Sequence, residues 1–246
     1  MDPIGLLVGG LALMAGGVLK GATGAGTPIL AVPLLALLYD VPFAIAVFAM
    51  PNVVTNLWQS WSFRAHHPSV TLSRRFSLTG AAGTVLGTVL LVSLPTQALL
   101  LVVALAVFLY IGFRLARPDW ALPLALAERI AVPVGAASGT LQGAAGISAP
   151  ISVTYLNAIR MERAGFIATI STYFATVGLV QVPLLVGFGV MTAERFWLSI
   201  LAIAPVLAGM PLGAWLVRFV SRETFDRLIL AILFLVAVRL AWGALL

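Results

Sequence analysis

The sequence predicts an all-α polytopic membrane protein made of two inverted repeats, each a Gly/Pro-broken helical hairpin plus three transmembrane helices. Three observations carry this expectation. Of the 246 residues, 61% are hydrophobic and only 9% charged. A soluble domain has about 25% charged residues, so a soluble chain of this composition could not cover its own apolar surface. Runs such as 98–113 and 229–246 carry at most one charge each, as membrane-spanning helices do. Finally, LKGATGAGTPI (19–29) aligns without a gap to LQGAAGISAPI (141–151).

Taken in order, apolar segments between charged breaks fall at 43–63, 76–94, 97–113, 164–190, 196–217 and 228–246. Each is roughly long enough to cross a hydrocarbon core of ~30 Å at 1.5 Å per residue. The stretches 3–39 and 129–159 differ, because a Gly- and Pro-rich centre interrupts each. The first residues, Met1-Asp2-Pro3, place an acid where a signal peptide needs a positive charge, so the first apolar stretch is read as retained structure.

The two motifs divide the chain into copies at 1–122 and 123–246. Leu19 matches Leu141, Gly21 matches Gly143, Gly24 matches Gly146 and Pro28 matches Pro150. A weaker pair, Gly83-x-x-x-Gly87 and Gly209-x-x-x-Gly213, reads as close helix packing. If the loop with Arg64, Arg74 and Arg75 is cytoplasmic, then Arg114, Arg117, Arg129, Arg160, Arg163, Arg218, Arg222 and Arg227 also fall inside. Only Arg195 and Arg239 fall towards the outside. Segments 43–63 and 164–190 then run in opposite directions, which is the inverted-repeat pattern of transporters.

Each broken stretch begins and ends on one side in this scheme. Helices over 130–141 and 151–159 would reach about 18 Å and 14 Å, half a bilayer, so re-entrant hairpins with glycine tips near the midplane are expected. The arm 3–19 is long enough to cross fully, and extra full spans are the alternative. Irregular backbone at membrane depth is tolerated only inside protein or beside a watery cavity. A break before a half-helix leaves free N–H groups and a positive dipole end, which favour an anion. The first tip offers Lys20 (the only lysine), Gly21, Thr23, Gly24, Gly26, Thr27 and Pro28. The second offers Gln142, Gly143, Gly146, Ser148 and Pro150. Pro28 and Pro150 suit a first helical turn, where a missing N–H costs nothing. An ionisable residue within an apolar run is a functional candidate by default.

Segment 43–63 adds Asn52, Asn56 and Gln59 at near-helical spacing, and 164–190 adds Ser171, Thr172, Tyr173, Thr176 and Gln181. These neutral donors suit an oxyanion, and they suit hydrogen bonds between helices equally well.

Other chemistry is disfavoured. GATGAG is not a nucleotide loop, since no Gly-Lys-Ser/Thr follows it. A serine nucleophile at Ser148 would need a deep histidine, whereas His66 and His67 sit together in a polar loop. There is no cysteine and no cluster of histidines and carboxylates for a metal, so neither enzyme activity nor a cofactor is expected. The net charge of +6 comes from arginines at segment ends and is read as orientation, not nucleic-acid binding.

With its two tip motifs and Gly/Pro-interrupted helices, the chain resembles the TauE/SafE family of sulfite exporters and sulfonate permeases over nearly its whole length. The resemblance implies a multi-pass transporter of the bacterial inner membrane that moves small oxyanions such as sulfite or sulfoacetate. The expected partners are a small anion and the lipid bilayer, with a homodimer as an assembly open to it. A passive anion channel, a membrane scaffold and an intramembrane enzyme are the alternatives.

Overall fold

The computed structural model describes residues 3–116, 120–216, 219 and 222–245. The orientation markers Arg117 and Arg218 lie outside them, as does the side chain of Arg222. Every regular element among the described residues is helical. The first part of the chain holds α1 (Pro3–Thr23), α2 (Thr27–Leu38), α3 (Val41–Ser62), α4 (Val70–Ser93) and α5 (Thr96–Ala116). The second holds α6 (Leu124–Ala145), α7 (Ser152–Ala158), α8 (Arg163–Gly187), α9 (Ala193–Leu201), α10 (Ile203–Leu216) and α11 (Arg222–Leu245). Among the described residues, seven stretches are long and apolar enough to cross a membrane: Gly5–Thr23, Val41–Ser62, Val70–Ser93, Thr96–Ala116, Arg163–Gly187, Ala193–Leu216 and Arg227–Ala244. Their outward faces carry exposed apolar residues such as Leu101, Leu105, Leu109 and Leu235. Water would not tolerate that surface, and acyl chains do. The chain is a multi-pass membrane protein.

Both broken stretches are helix, break, shorter helix. The second copy's first arm is longer than the half-span the sequence predicts, and that of the first copy has the full-crossing length read from 3–19. α1 has 21 residues and α6 has 22, about 31 Å and 33 Å. The arm expected at 130–141 starts early because Glu128 and Arg129 lie inside α6, where Ser69 donates to the Glu128 carboxylate and Arg75 donates to the Glu128 carbonyl. The returning arms are short, 12 residues in α2 and seven in α7. Pro28 lies in the first turn of α2 as expected, but Pro150 lies in the turn before α7. The expected span 196–217 is divided at Ala202. Pro205 has no N–H to give the Leu201 carbonyl, which weakens the helix there.

Two backbone seams join the parts. Gly17 and Gly21 of α1 meet α10 so closely that an added Cβ would lie 2.2 Å from the Val206 carbonyl oxygen and 1.9 Å from that of Met210. From the other side, a Cβ added to Gly213 would lie 1.9 Å from the Val18 carbonyl oxygen. α6 and α4 repeat the arrangement: an added Cβ would lie 1.9 Å from the Gly80 carbonyl oxygen at Gly139 and 2.1 Å from that of Ala136 at Gly83. The packing expected of Gly83, Gly87, Gly209 and Gly213 is therefore present. The pairing is crosswise, since each part's fourth segment covers the other part's first helix. Between the seams α3 and α8 cross antiparallel, with Gln59 beside Ser171 and Asn52 reaching Phe174.

At the membrane edge His67 joins the α3–α4 loop to α4 through Nδ1 and the Ser73 hydroxyl, 2.8 Å apart.

Adding one methyl group along a seam forces two backbones apart, a change that typically costs about 1–3 kcal/mol. Gly139→Ala and Gly213→Ala are expected to lower the thermal midpoint in detergent, whereas Gly112→Ala, with nothing within 4 Å, leaves it level or raises it. Burial pushes the His67 imidazole below its ordinary 6.5, so the unfolded chain binds that proton more readily than the folded one. Stability at this site is full above pH 6.5 and declines below it. The same midpoint, followed from pH 7.5 to 5, should fall less in His67→Gln.

Candidate functional site

The two breaks rest on left-handed glycines. Gly24 and Gly26 have φ of 84° and 110°, and Gly146 has 69°. An L-residue with a side chain rarely adopts these angles. The breaks also touch the opposite part at matching positions. A Cβ on Gly24 would meet Ile167 of α8 at 2.5 Å, and one on Gly146 would meet Ile45 of α3 at 2.8 Å. Each tip therefore sits beside the second turn of a helix from the other part, not beside its centre.

Near the first tip, Lys20 is 2% exposed and its Nζ donates to Asn56 Oδ1 at 2.6 Å. Asn56 Nδ2 donates to Asn52, to the carbonyl at 2.7 Å and to Oδ1 at 2.9 Å. Asn52 Nδ2 then reaches the Phe174 carbonyl at 3.4 Å. The missing side chain of Gly178 leaves room for Asn52. One turn further along α3, Gln59 accepts from Ser171 at 3.2 Å. Lys20, Asn52, Asn56 and Gln59 thus form one buried polar strip across α1, α3 and α8.

Around the second tip a separate group forms. Gln142 Nε2 donates back to the Gly146 carbonyl at 3.0 Å, while its Oε1 is buried without a partner. Ser148 pairs with Ser152 at 3.1 Å, and the Tyr173 hydroxyl with Ser138 at 2.7 Å. Phe76 stacks on the Tyr173 ring.

The other sequence candidates scatter. Gly21 and Gly143 lie inside helices and serve the seams. Thr176 bonds within its own helix and Thr172 meets Ser60. Thr27 Oγ1 and Gln181 Nε2 are buried without partners. Thr23 bends its hydroxyl onto the Leu19 and Ala25 carbonyls at the rim of the break.

A cavity of about 570 Å³ opens beside the first tip. Its wall includes Leu19, Thr23 and Ala25 of the tip, Tyr110 and Arg114 of α5, Asn157 of α7 and Arg163 of α8. Arg163 also borders a second cavity of about 290 Å³, which Gln59 lines. Its guanidinium donates to the Gly21 and Ala22 carbonyls at 3.4 and 3.3 Å, where the end of α1 is negative. Sequence reasoning used Arg114 and Arg163 only as orientation markers and passed over Tyr110 and Asn157. Arg163 carried one usable signal, because it begins the helix that follows the second broken stretch. Among the described residues no cluster of three metal-ligating side chains occurs.

The profile of the family described as sulfite exporter TauE/SafE matches residues 8–240. The chain belongs to the TauE/SafE family. Neither the curated proteins nor the solved structures yield a match. TauE/SafE is a family of membrane exporters of sulfite and sulfonates, transporters rather than enzymes, and both tip motifs lie within the matched region.

In the buried strip, removing one partner costs more than removing both. Asn56→Leu leaves the Lys20 amine without an acceptor, and an expected loss of about 2–3 kcal/mol follows. Adding Lys20→Met to that change should restore more than half of it. Chemical unfolding of the three proteins in detergent provides the comparison.

Proposed function

We propose that this chain is a secondary transporter of small sulfur oxyanions, sulfite or organosulfonates such as sulfoacetate, across the bacterial inner membrane. The observation that carries the reading is the cavity beside the first tip, which places Arg114 and Arg163 against a broken helix in an otherwise apolar protein. Two guanidiniums present planar donors to an oxyanion. Asn157 supplies a neutral donor in the same wall, and Lys20 adds positive charge behind it.

The halves 1–122 and 123–246 act as inverted repeats. The crosswise seams, the antiparallel crossing of α3 and α8, and the matched contacts of Gly24 and Gly146 support this. Arg163 provides a means of alternating access. An anion in the cavity competes with the Gly21 and Ala22 carbonyls for its guanidinium, and those two bonds are long and easily exchanged. Loading then releases the end of α1 from α8, so the first tip shifts and the second tip opens on the other side. A cytoplasm-negative potential favours anion exit by ~2.3 kcal/mol per charge per 100 mV, which fits export.

Purified protein should show saturable thermal stabilisation by sulfite or sulfoacetate, and Arg163→Gln should weaken it at least about tenfold, the worth of one charge-assisted contact. In proteoliposomes the wild type should show saturable counterflow of the labelled anion. Conductance without counterflow would identify a channel. Absence of a shift with any oxyanion, or an Arg163→Gln protein that binds like wild type, would sink the proposal.

A further inference from the structure

Lys20 has a property that binding an anion does not by itself require. Its amine is buried and has one neutral partner, the Asn56 amide oxygen. An ammonium has three N–H donors to satisfy, and a neutral amine has two and needs no counter-charge. Among the described residues no acid side chain pairs with it. α2, α3 and α10, the elements packed around this part of α1, contain no charged side chain at all. Asp40 lies at the opposite end of α3, where it accepts from the Phe43 N–H. On α8 the ionisable groups are Arg163, turned to the Gly21 and Ala22 carbonyls, and Tyr173, bonded to Ser138. Arg114 and Tyr110 face the neighbouring cavity from α5. A lone ammonium in such surroundings is costly, and an incoming anion removes the cost by supplying the missing charge.

We propose that Lys20 takes up a proton as the anion loads beside the first tip and returns it to water as the anion leaves, so that the two travel together. This rests on the anion-transport reading above and names its coupling ion. The proton comes from water in the cavity, whose wall includes Leu19 and Ala22 on either side of Lys20 in the chain. Hydronium gives up one proton, the amine becomes an ammonium that still donates to Asn56, and no covalent bond to carbon changes. The anion-free carrier returns with Lys20 neutral. A monoanion then moves as a neutral unit on which the membrane potential does not act. A dianion such as sulfite keeps one net negative charge and is still driven outward.

The test uses methanesulfonate and sulfoacetate, whose acid groups stay ionised between pH 6 and 9, on the full-length protein in weakly buffered detergent with a pH dye. Expected is uptake of one proton per bound anion, with affinity falling about tenfold per pH unit wherever Lys20 is neutral in the free protein. Lys20→Arg, always protonated, should bind with a flat pH profile, and Lys20→Gln should show no proton uptake. Binding without proton uptake and with pH-independent affinity overturns the coupling and leaves anion transport standing. Proton uptake that persists in either variant overturns the role of Lys20. A wild type that binds sulfite, methanesulfonate and sulfoacetate at no pH overturns both readings.

Discussion

Backbone-to-backbone contact along two glycine seams determines where everything else in this protein can lie. Lipid tails are as apolar as leucine, so burial from water does not pull helices together inside a bilayer. Close approach does so by multiplying weak dispersion contacts. α1 against α10 and α4 against α6 reach that closeness because glycine stands wherever one backbone meets the carbonyls of the other. Since both pairs run crosswise between the two parts of the chain, they hold α3 and α8 against each other in the middle. The polar residues of those helices are thereby enclosed rather than left facing lipid.

Within that enclosure the polar chemistry divides. One group runs from Lys20 through Asn56 and Asn52 to Phe174, and the other gathers Ser138, Tyr173, Ser148, Ser152 and Gln142 around the second break. The two breaks correspond in sequence, but only the first lies open to the large cavity. Residues 147–149, at the second, are buried. The inequality lies in the surroundings: similar tips, one open to a cavity and one shut.

Much of the fold was legible because apolar length and Gly/Pro interruption are direct consequences of bilayer thickness. The helices α3, α5, α8 and α11 lie within a few residues of the segments read from charge breaks. α6 was misjudged because a charge normally ends a span, and here Glu128 and its neighbour are tied to Ser69 and Arg75 within a continuing helix. The partition of α9 from α10 follows from Pro205, whose effect depends on a single carbonyl. At the site, Lys20, Asn52, Asn56 and Gln59 were findable, since polar residues are rare in apolar runs. The double duty of glycine was not. Gly24 and Gly146 make the turns while Gly21 and Gly143 three residues earlier make the seams, and only the partner helix distinguishes them. Arg114 and Arg163 were hidden for a similar reason, because an arginine at a helix end looks alike whether it faces lipid headgroups or a cavity.

The crosswise seams also bear on the order of synthesis. α1 leaves the ribosome before its partner α10, which follows almost two hundred residues later. At 5–20 residues per second, that is a wait of roughly ten to forty seconds. Throughout it, the groove of Gly17 and Gly21 faces lipid or an insertion factor instead of Val206 and Met210. The amine of Lys20 leaves the ribosome before Asn56 does. In this seam one of the tightest contacts of the fold is among the last that the growing chain can complete.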